Sequence, residues 1–340
     1  MPIKRSNLLP PLILFFLSPW IGEVVSGFIT AEQFFEPFRL LITLPPYGCG
    51  ALIARELMVR NKKKWPGLFM FGLAFGIFFE AVITRVFVNP EPGIISPQAI
   101  AYQRVLGWNL ANTIGVTHFH ALLAIVAPVL LAEMLFPKQS GESWVGTPVL
   151  WICVLVMLVW PFVLGLVADY APSAPVLLSA ILLTGLFIAM GLAMPARLFA
   201  SQHRRAPHPF WLLLVCAFAM ALVMIGGSAI PDGAPPPPLP ALLGAMIVVI
   251  LIEFLLLAFL TCGHSFGDRH RLSMVLGWLM FFLLFTVAKE IEAKEVTQRG
   301  IAAGLTALFL LFLRIRVGVE DPRQAGDEGM SADNAINERY

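Results

Sequence analysis

Residues 239–262 read LPALLGAMIVVILIEFLLLAFLTC, an apolar run whose one charged side chain is Glu253. A helix rises about 1.5 Å per residue, so a run of this length can cross the roughly 30 Å hydrocarbon core of a bilayer. A helix at the surface of a soluble core needs only one apolar stripe, whereas this one is apolar all round, as lipid on every side would require. Its neighbours repeat the pattern. Comparable runs lie near 8–28, 37–58, 66–88, 110–136, 148–168, 173–195, 210–230, 272–288 and 300–317. The fold class predicted is all-α, a polytopic transmembrane helical bundle of about ten spans.

Composition supports this reading. Hydrophobic residues make up 58% of the chain and charged residues 13%, and mean hydropathy is +0.82. A water-soluble domain has no core large enough to hide that much apolar surface. The spacing of the runs predicts one transmembrane domain over residues 1–318. A polar tail over 319–340, with no apolar period, is expected to be disordered and cytoplasmic. Lys4 and Arg5 before the run Leu8–Leu17 give the start the look of a signal peptide. With no small-residue cleavage site before the next runs, it reads instead as the first span.

Loop charge gives an orientation. Lys4/Arg5, Arg60/Lys62/Lys63/Lys64, Lys138, Arg197/Arg204/Arg205, Arg269/Arg271 and Arg314/Arg316/Arg323 fall in alternate connections. Basic residues mark the cytoplasmic side, so both termini are expected there, in a cell (inner) membrane. The opposite connections are poorer in base and include the Pro-rich run Pro231–Pro240, expected to be an extended linker. A net charge of +2 in scattered clusters gives no footprint for nucleic acid. The partner implied throughout is the lipid bilayer. Cys49, Cys153, Cys216 and Cys262 stand apart without ligand spacing and read as buried thiols.

An ionisable group inside lipid is costly unless it is paired or faces a cavity, so polar residues within spans point to function. The first four spans hold Glu23, Arg55, Glu56, Glu80, Arg85, Asn112, His118, His120 and Glu133, and the later ones far fewer. With the orientation above, Glu23, Glu80, Arg85, Asn112 and the two histidines share one depth in the outer half of the membrane. Asn112, Val116 and His120 form one helical stripe, with His118 about 200° away from His120, so only one histidine can face a given cavity. Gly76, Glu80 and Thr84 form the facing stripe, and Gly76 lets the two helices approach closely. Glu80 with His120 is the leading pair. Pro45 and Pro46 are expected to kink or break the second span. Glu253 is either a proton carrier or a protonated partner for a neighbouring helix. Arg55 and Glu56 read as a charge pair at the interface.

The stretch Gly76–Arg85, GIFFEAVITR, resembles the first motif of the CAAX-protease and bacteriocin-processing family, two adjacent glutamates followed by arginine. Glu80 and Arg85 match, and Ala81 stands in place of the second glutamate. The resemblance implies an intramembrane hydrolase in which Glu80 and His120 activate water. Any metal there would draw on Glu80, His118 and His120. The first 140 residues also resemble uncharacterised prokaryotic membrane proteins, through Gly22-Glu23, Arg55-Glu56 and Phe119-His120-Ala121. Three functions compete. One is a transporter or solute-binding protein with Glu23, Glu80, Arg85, Asn112, His118, His120 and Glu253 as its small-molecule or ion site. The second is the hydrolase, and the third is a subunit whose polar residues grip a second copy or another membrane protein. The sequence names no cofactor and no substrate.

Overall fold

The computed structural model describes residues 8–93, 96–166, 168, 170–195, 205–228, 236–293 and 298–319. Long helices dominate: α1 (Leu9–Val25), α2 (Pro37–Arg60), α3 (Trp65–Ile83), α4 (Leu110–Leu135) and α5 (Thr147–Gly165), then α6 (Ala174–Ala193), α7 (Pro209–Ser228), α8 (Leu239–Leu260), α9 (Asp268–Ala293) and α10 (Gln298–Val319). Eight of them, α3 to α10, are long and apolar enough to cross a membrane, and α1 is a shorter apolar helix. The chain is an all-α membrane bundle. The tail expected to be disordered lies, but for Val319, outside the described residues, as do residues 231–235 of the Pro-rich linker.

The helices are not equivalent. In α3 and α4, 83% and 89% of the apolar window is buried within the protein, against 11% in α5. Thus α3 and α4 form the centre, while α5 turns Trp151, Leu155 and Phe162 outward, toward where lipid would lie. Two glycines make that centre possible. A Cβ on Gly72 would come within 2.7 Å of Ala121 Cα, and one on Gly76 within 3.1 Å of Thr117 Cα and His120 Cβ. The small face foreseen at Gly76 is therefore one turn longer, a Gly72-x-x-x-Gly76 pair against α4.

Pro45 and Pro46 do not break the second span as the sequence suggested. α2 runs unbroken from Pro37 to Arg60 with both prolines inside it. A proline at 46 cannot donate to the Ile42 carbonyl four residues earlier. That carbonyl instead accepts from the Trp160 indole of α5 at 2.9 Å. Likewise Pro128 leaves the Ala124 carbonyl of α4 without its usual donor, and the Ser18 hydroxyl of α1 donates to it at 2.6 Å. At Pro46 and at Pro128 a neighbouring helix thus supplies the donor that the ring removes, the condition for tolerating proline in lipid.

Connections meet at two ends. At one, Lys63 Nζ donates to the Met194 carbonyl at 2.9 Å, Trp65 Nε1 to Thr261 Oγ1 at 2.9 Å, and Arg316 Nη1 to the Leu135 carbonyl at 3.2 Å. At the other, Gln298 Nε2 donates to Glu32 Oε2, Arg85 Nη1 to the Tyr170 carbonyl, and the Tyr102 hydroxyl to the Pro237 carbonyl. Each of these bonds joins segments that loop charge had put on the same side. A short hairpin, Arg104–Val105 with Trp108–Asn109, adds a two-stranded element to the second end that the helical reading did not foresee. Leu106 and Gly107 turn it, both at positive φ. The Asn109 amide fastens it by donating to the Val86 and Asn89 carbonyls at 3.0 and 2.9 Å.

Gly72→Ala places a methyl where the α4 backbone stands and should lower stability by roughly 1–3 kcal/mol, the usual cost of overpacking. Gly185→Ala, where a Cβ meets nothing within 4 Å, should not. Thermal unfolding of the two variants in the same detergent compares them directly, and equal melting temperatures would refute the close α3–α4 contact.

Candidate functional site

Three stretches of the helices described above are wound as π-helix: Trp20–Val25 in α1, Phe78–Ile83 in α3 and His120–Val126 in α4. Glu23, Glu80 and His120 each lie in one of them. A π turn takes in an extra residue and turns its side chains out of the α-helical register, and such turns gather at functional sites. Here they bring three ionisable groups from three helices into one place.

His120 Nε2 lies 2.7 Å from Glu80 Oε1, and the Thr84 hydroxyl donates to Glu80 Oε2 at 2.6 Å. The Tyr47 hydroxyl of α2 donates to Glu23 Oε1 at 2.6 Å. The Tyr47 and His120 rings lie 5.8 Å apart between centroids, which joins the two pairs into one polar floor. Phe75 and Phe79 pack edge-on against both rings, and Phe79 also lines the cavity described next. His120 is only 2% exposed, and its Nδ1 is buried without a hydrogen-bond partner.

Above this floor lies a cavity of about 790 Å³, toward the end of the bundle that carries the hairpin. Glu23, Tyr47, Glu80 and His120 line it, and so do Arg39 and Asn112 nearer the mouth. That volume is in the range of small-molecule sites. The Asn112 backbone N–H donates to Gln103 Oε1 at 2.6 Å, while its side-chain Nδ2 is buried and unpaired.

The structure thus brings together four of the residues named from the sequence: Glu23, Glu80, Asn112 and His120. It sends the others elsewhere. Arg85, at positive φ, points its guanidinium to the Tyr170 carbonyl at 2.6 Å and does not line the cavity. His118 lies on another face of α4, with Nε2 2.7 Å from Glu253 Oε2, and the Trp278 indole donates to Glu253 Oε1 at 2.8 Å. This second Glu–His pair is fully packed between α4, α8 and α9 and does not line the cavity. Among the described residues, no three or more His, Cys, Asp or Glu side chains are grouped to hold a metal ion. Sequence reasoning set Tyr47 in the proline segment but not in the site, and it missed Arg39. The available signal was their eight-residue spacing, the same as that between Asn112 and His120.

A separate charge cluster closes the opposite end. Arg55 and Glu56, read from the sequence as a charge pair at the interface, are wholly buried within the protein at this end and pair at 3.0 Å. Glu56 also takes the Trp144 backbone N–H at 2.8 Å and Arg60 Nε at 2.9 Å. The Arg55 guanidinium lies 3.8 Å above the Trp144 ring and 3.6 Å from Glu133. A buried charge with this many partners is held in place by them. The cluster pins the 137–147 connection to α2.

A helical bundle whose central helices gather carboxylates, imidazole and amide around a cavity, within an apolar shell, is a polytopic integral membrane protein. The chain belongs to a family described as an uncharacterized membrane protein family, whose model matches residues 12–319. It is similar to an uncharacterized protein of Archaeoglobus fulgidus, 26% identical over 310 residues that cover 89% of this chain and 85% of that one. No solved structure matches.

Glu253→Ala removes the acceptor of the Trp278 indole and the partner of His118 together. Each buried group left unpaired costs roughly 1–3 kcal/mol, so the melting temperature should fall by several degrees. Glu253→Gln, which keeps a carbonyl for the indole, should restore part of it. Equal melting temperatures for wild type and Glu253→Ala would show that the pair does not hold α8 to α4.

Proposed function

We propose that the protein binds a small polar solute in the cavity and carries it across the membrane together with protons. One observation supports this above the others: the carboxylates of Glu23 and Glu80, on separate helices, line a single cavity, and their hydrogen-bond partners are neutral or titratable side chains. A carboxylate fixed by arginine stays charged, whereas one held by tyrosine, threonine or histidine can exchange its proton as a solute comes and goes. Buried acids beside a cavity at mid-bundle are the usual sites of proton and substrate coupling in transporters. Arg60, Lys62, Lys63, Lys64, Lys138 and Arg271 lie at the end opposite the cavity mouth. By the positive-inside rule, that mouth faces away from the cytoplasm and both termini face toward it.

This reading is preferred to hydrolysis on chemical grounds. Glu80 and His120 alone do resemble an acid–base pair. A hydrolase of the type suggested by the Gly76–Arg85 motif would also use the second glutamate, where this chain has Ala81, and the arginine. Here Arg85 is committed to the Tyr170 carbonyl.

The test is solute-driven current in proteoliposomes, read by electrophysiology on a solid support, with amino acids, short peptides, amines and organic acids applied in separate arms. At least one arm should give a current that grows with an imposed proton gradient. Glu80→Gln and Glu23→Gln should each reduce it at least tenfold while the protein still folds. Currents unchanged in both variants, or absent from every arm in the wild type, would overturn the proposal.

A further inference from the structure

The cavity is built in two tiers. α2 contributes Arg39 and, eight residues on, Tyr47; α4 contributes Asn112 and, eight residues on, His120. Both helices run the same way, into the bundle from the mouth, so each eight-residue step is a descent of about 12 Å at 1.5 Å per residue. The lower tier is acidic. Tyr47 and His120 are the partners of Glu23 and Glu80, which they hold on the floor. Glu23 spends Oε1 on the Tyr47 hydroxyl, which leaves Oε2 as an acceptor. The rings of Tyr47 and Phe79 line the cavity beside it, with centroids 4.7 Å apart. A carboxylate oxygen beside aromatic rings can receive an ammonium group.

The upper tier has the opposite character. Arg39 brings a guanidinium, the group best matched to a carboxylate. Asn112 brings a buried amide nitrogen with no acceptor. An unpaired buried donor is costly, and a ligand oxygen would relieve the cost. Between the tiers the wall is mainly apolar, with Ile42, Val116, Met224 and Leu242 beside Thr43 and Thr84. The site therefore has an anionic floor, a greasy middle and a cationic rim.

From this layout, and resting on the solute-binding reading above, we infer that the ligand is an extended zwitterion with its ammonium on Glu23 and its carboxylate at Arg39 and Asn112. The tiers are about 12 Å apart at the backbone, and side chains that reach inward would leave roughly 10 Å between the two charges of such a ligand. Three extended residues span that distance at 3.3–3.6 Å each, which makes the ligand class a tripeptide or a molecule of the same charge spacing. A free single amino acid is too short to reach both tiers, and a dicarboxylate would set its second anion against Glu23 and Glu80.

Full-length protein in detergent should bind tri-alanine, measured by titration calorimetry. Tri-alanine amide, which lacks the anion, and N-acetyl-tri-alanine, which lacks the cation, should each bind at least tenfold more weakly. Arg39→Gln should erase the penalty of amidation, and Glu23→Gln the penalty of acetylation, so that each variant loses discrimination at one end only. These comparisons are made within each variant, and the three peptides on the wild type need no substitution at all. Equal binding of the amide and the free acid, or binding of alanine as tight as that of tri-alanine, would overturn the inference. If a solute from another arm of the current assay binds in a Glu23-dependent way and tri-alanine does not, the zwitterion is wrong and the transport reading stands. If nothing from any arm binds or moves, both fall.

Discussion

The close approach of α3 and α4 is the contact on which the site depends. Glu80 and His120 stand on different helices, and the 2.7 Å between them exists only because Gly72 and Gly76 give α4 room to lie against the α3 backbone. Helices in lipid gain little from the hydrophobic effect when they associate, so packing of small surfaces and hydrogen bonds between helices must hold them. Here the two act at the same place. The glycines permit the hydrogen bond, and the hydrogen bond fixes the helices that the glycines allow to meet.

The same accounting applies to the backbone. A proline within a span frees a carbonyl, and in lipid no water is present to take it. α2 and α4 each contain a proline whose freed carbonyl is met by a side chain from another helix, Trp160 for Pro46 and Ser18 for Pro128. Ser18 also lies 3.3 Å from the Tyr47 carbonyl. One small residue on α1 therefore ties together the helices that carry Tyr47 and His120. The irregularities of the bundle and the geometry of its polar floor are two views of one set of bonds.

Much of this was legible in the sequence. Apolar runs marked the helices, because hydropathy over twenty residues is a strong signal in a bilayer. The Asn112–His120 stripe and the Gly76–Thr84 stripe correctly indicated which faces would meet. Other parts were not legible. Arg85 lies five residues after Glu80 and reads as its neighbour, but the helix ends between them and the backbone at Arg85 turns to positive φ, which carries the guanidinium away. His118 and Glu253 are far apart in sequence, and nothing local in either predicts that they pair. The π-helical turns escaped for a related reason: they arise from packing and from bonds between helices, which no periodicity of one segment encodes. Tyr47 was seen as part of a break because two prolines precede it, and the break was averted by a tryptophan more than a hundred residues later.

The Arg55–Glu56 cluster also bears on how the helices are joined. It knits the 137–147 connection, α2 and the end of α4 through buried charge at one end of the molecule, while the other end is hollowed by the cavity. α2 and α4 are thus joined by buried charge at one end and stand apart around the cavity at the other, where Arg39 and Asn112 lie.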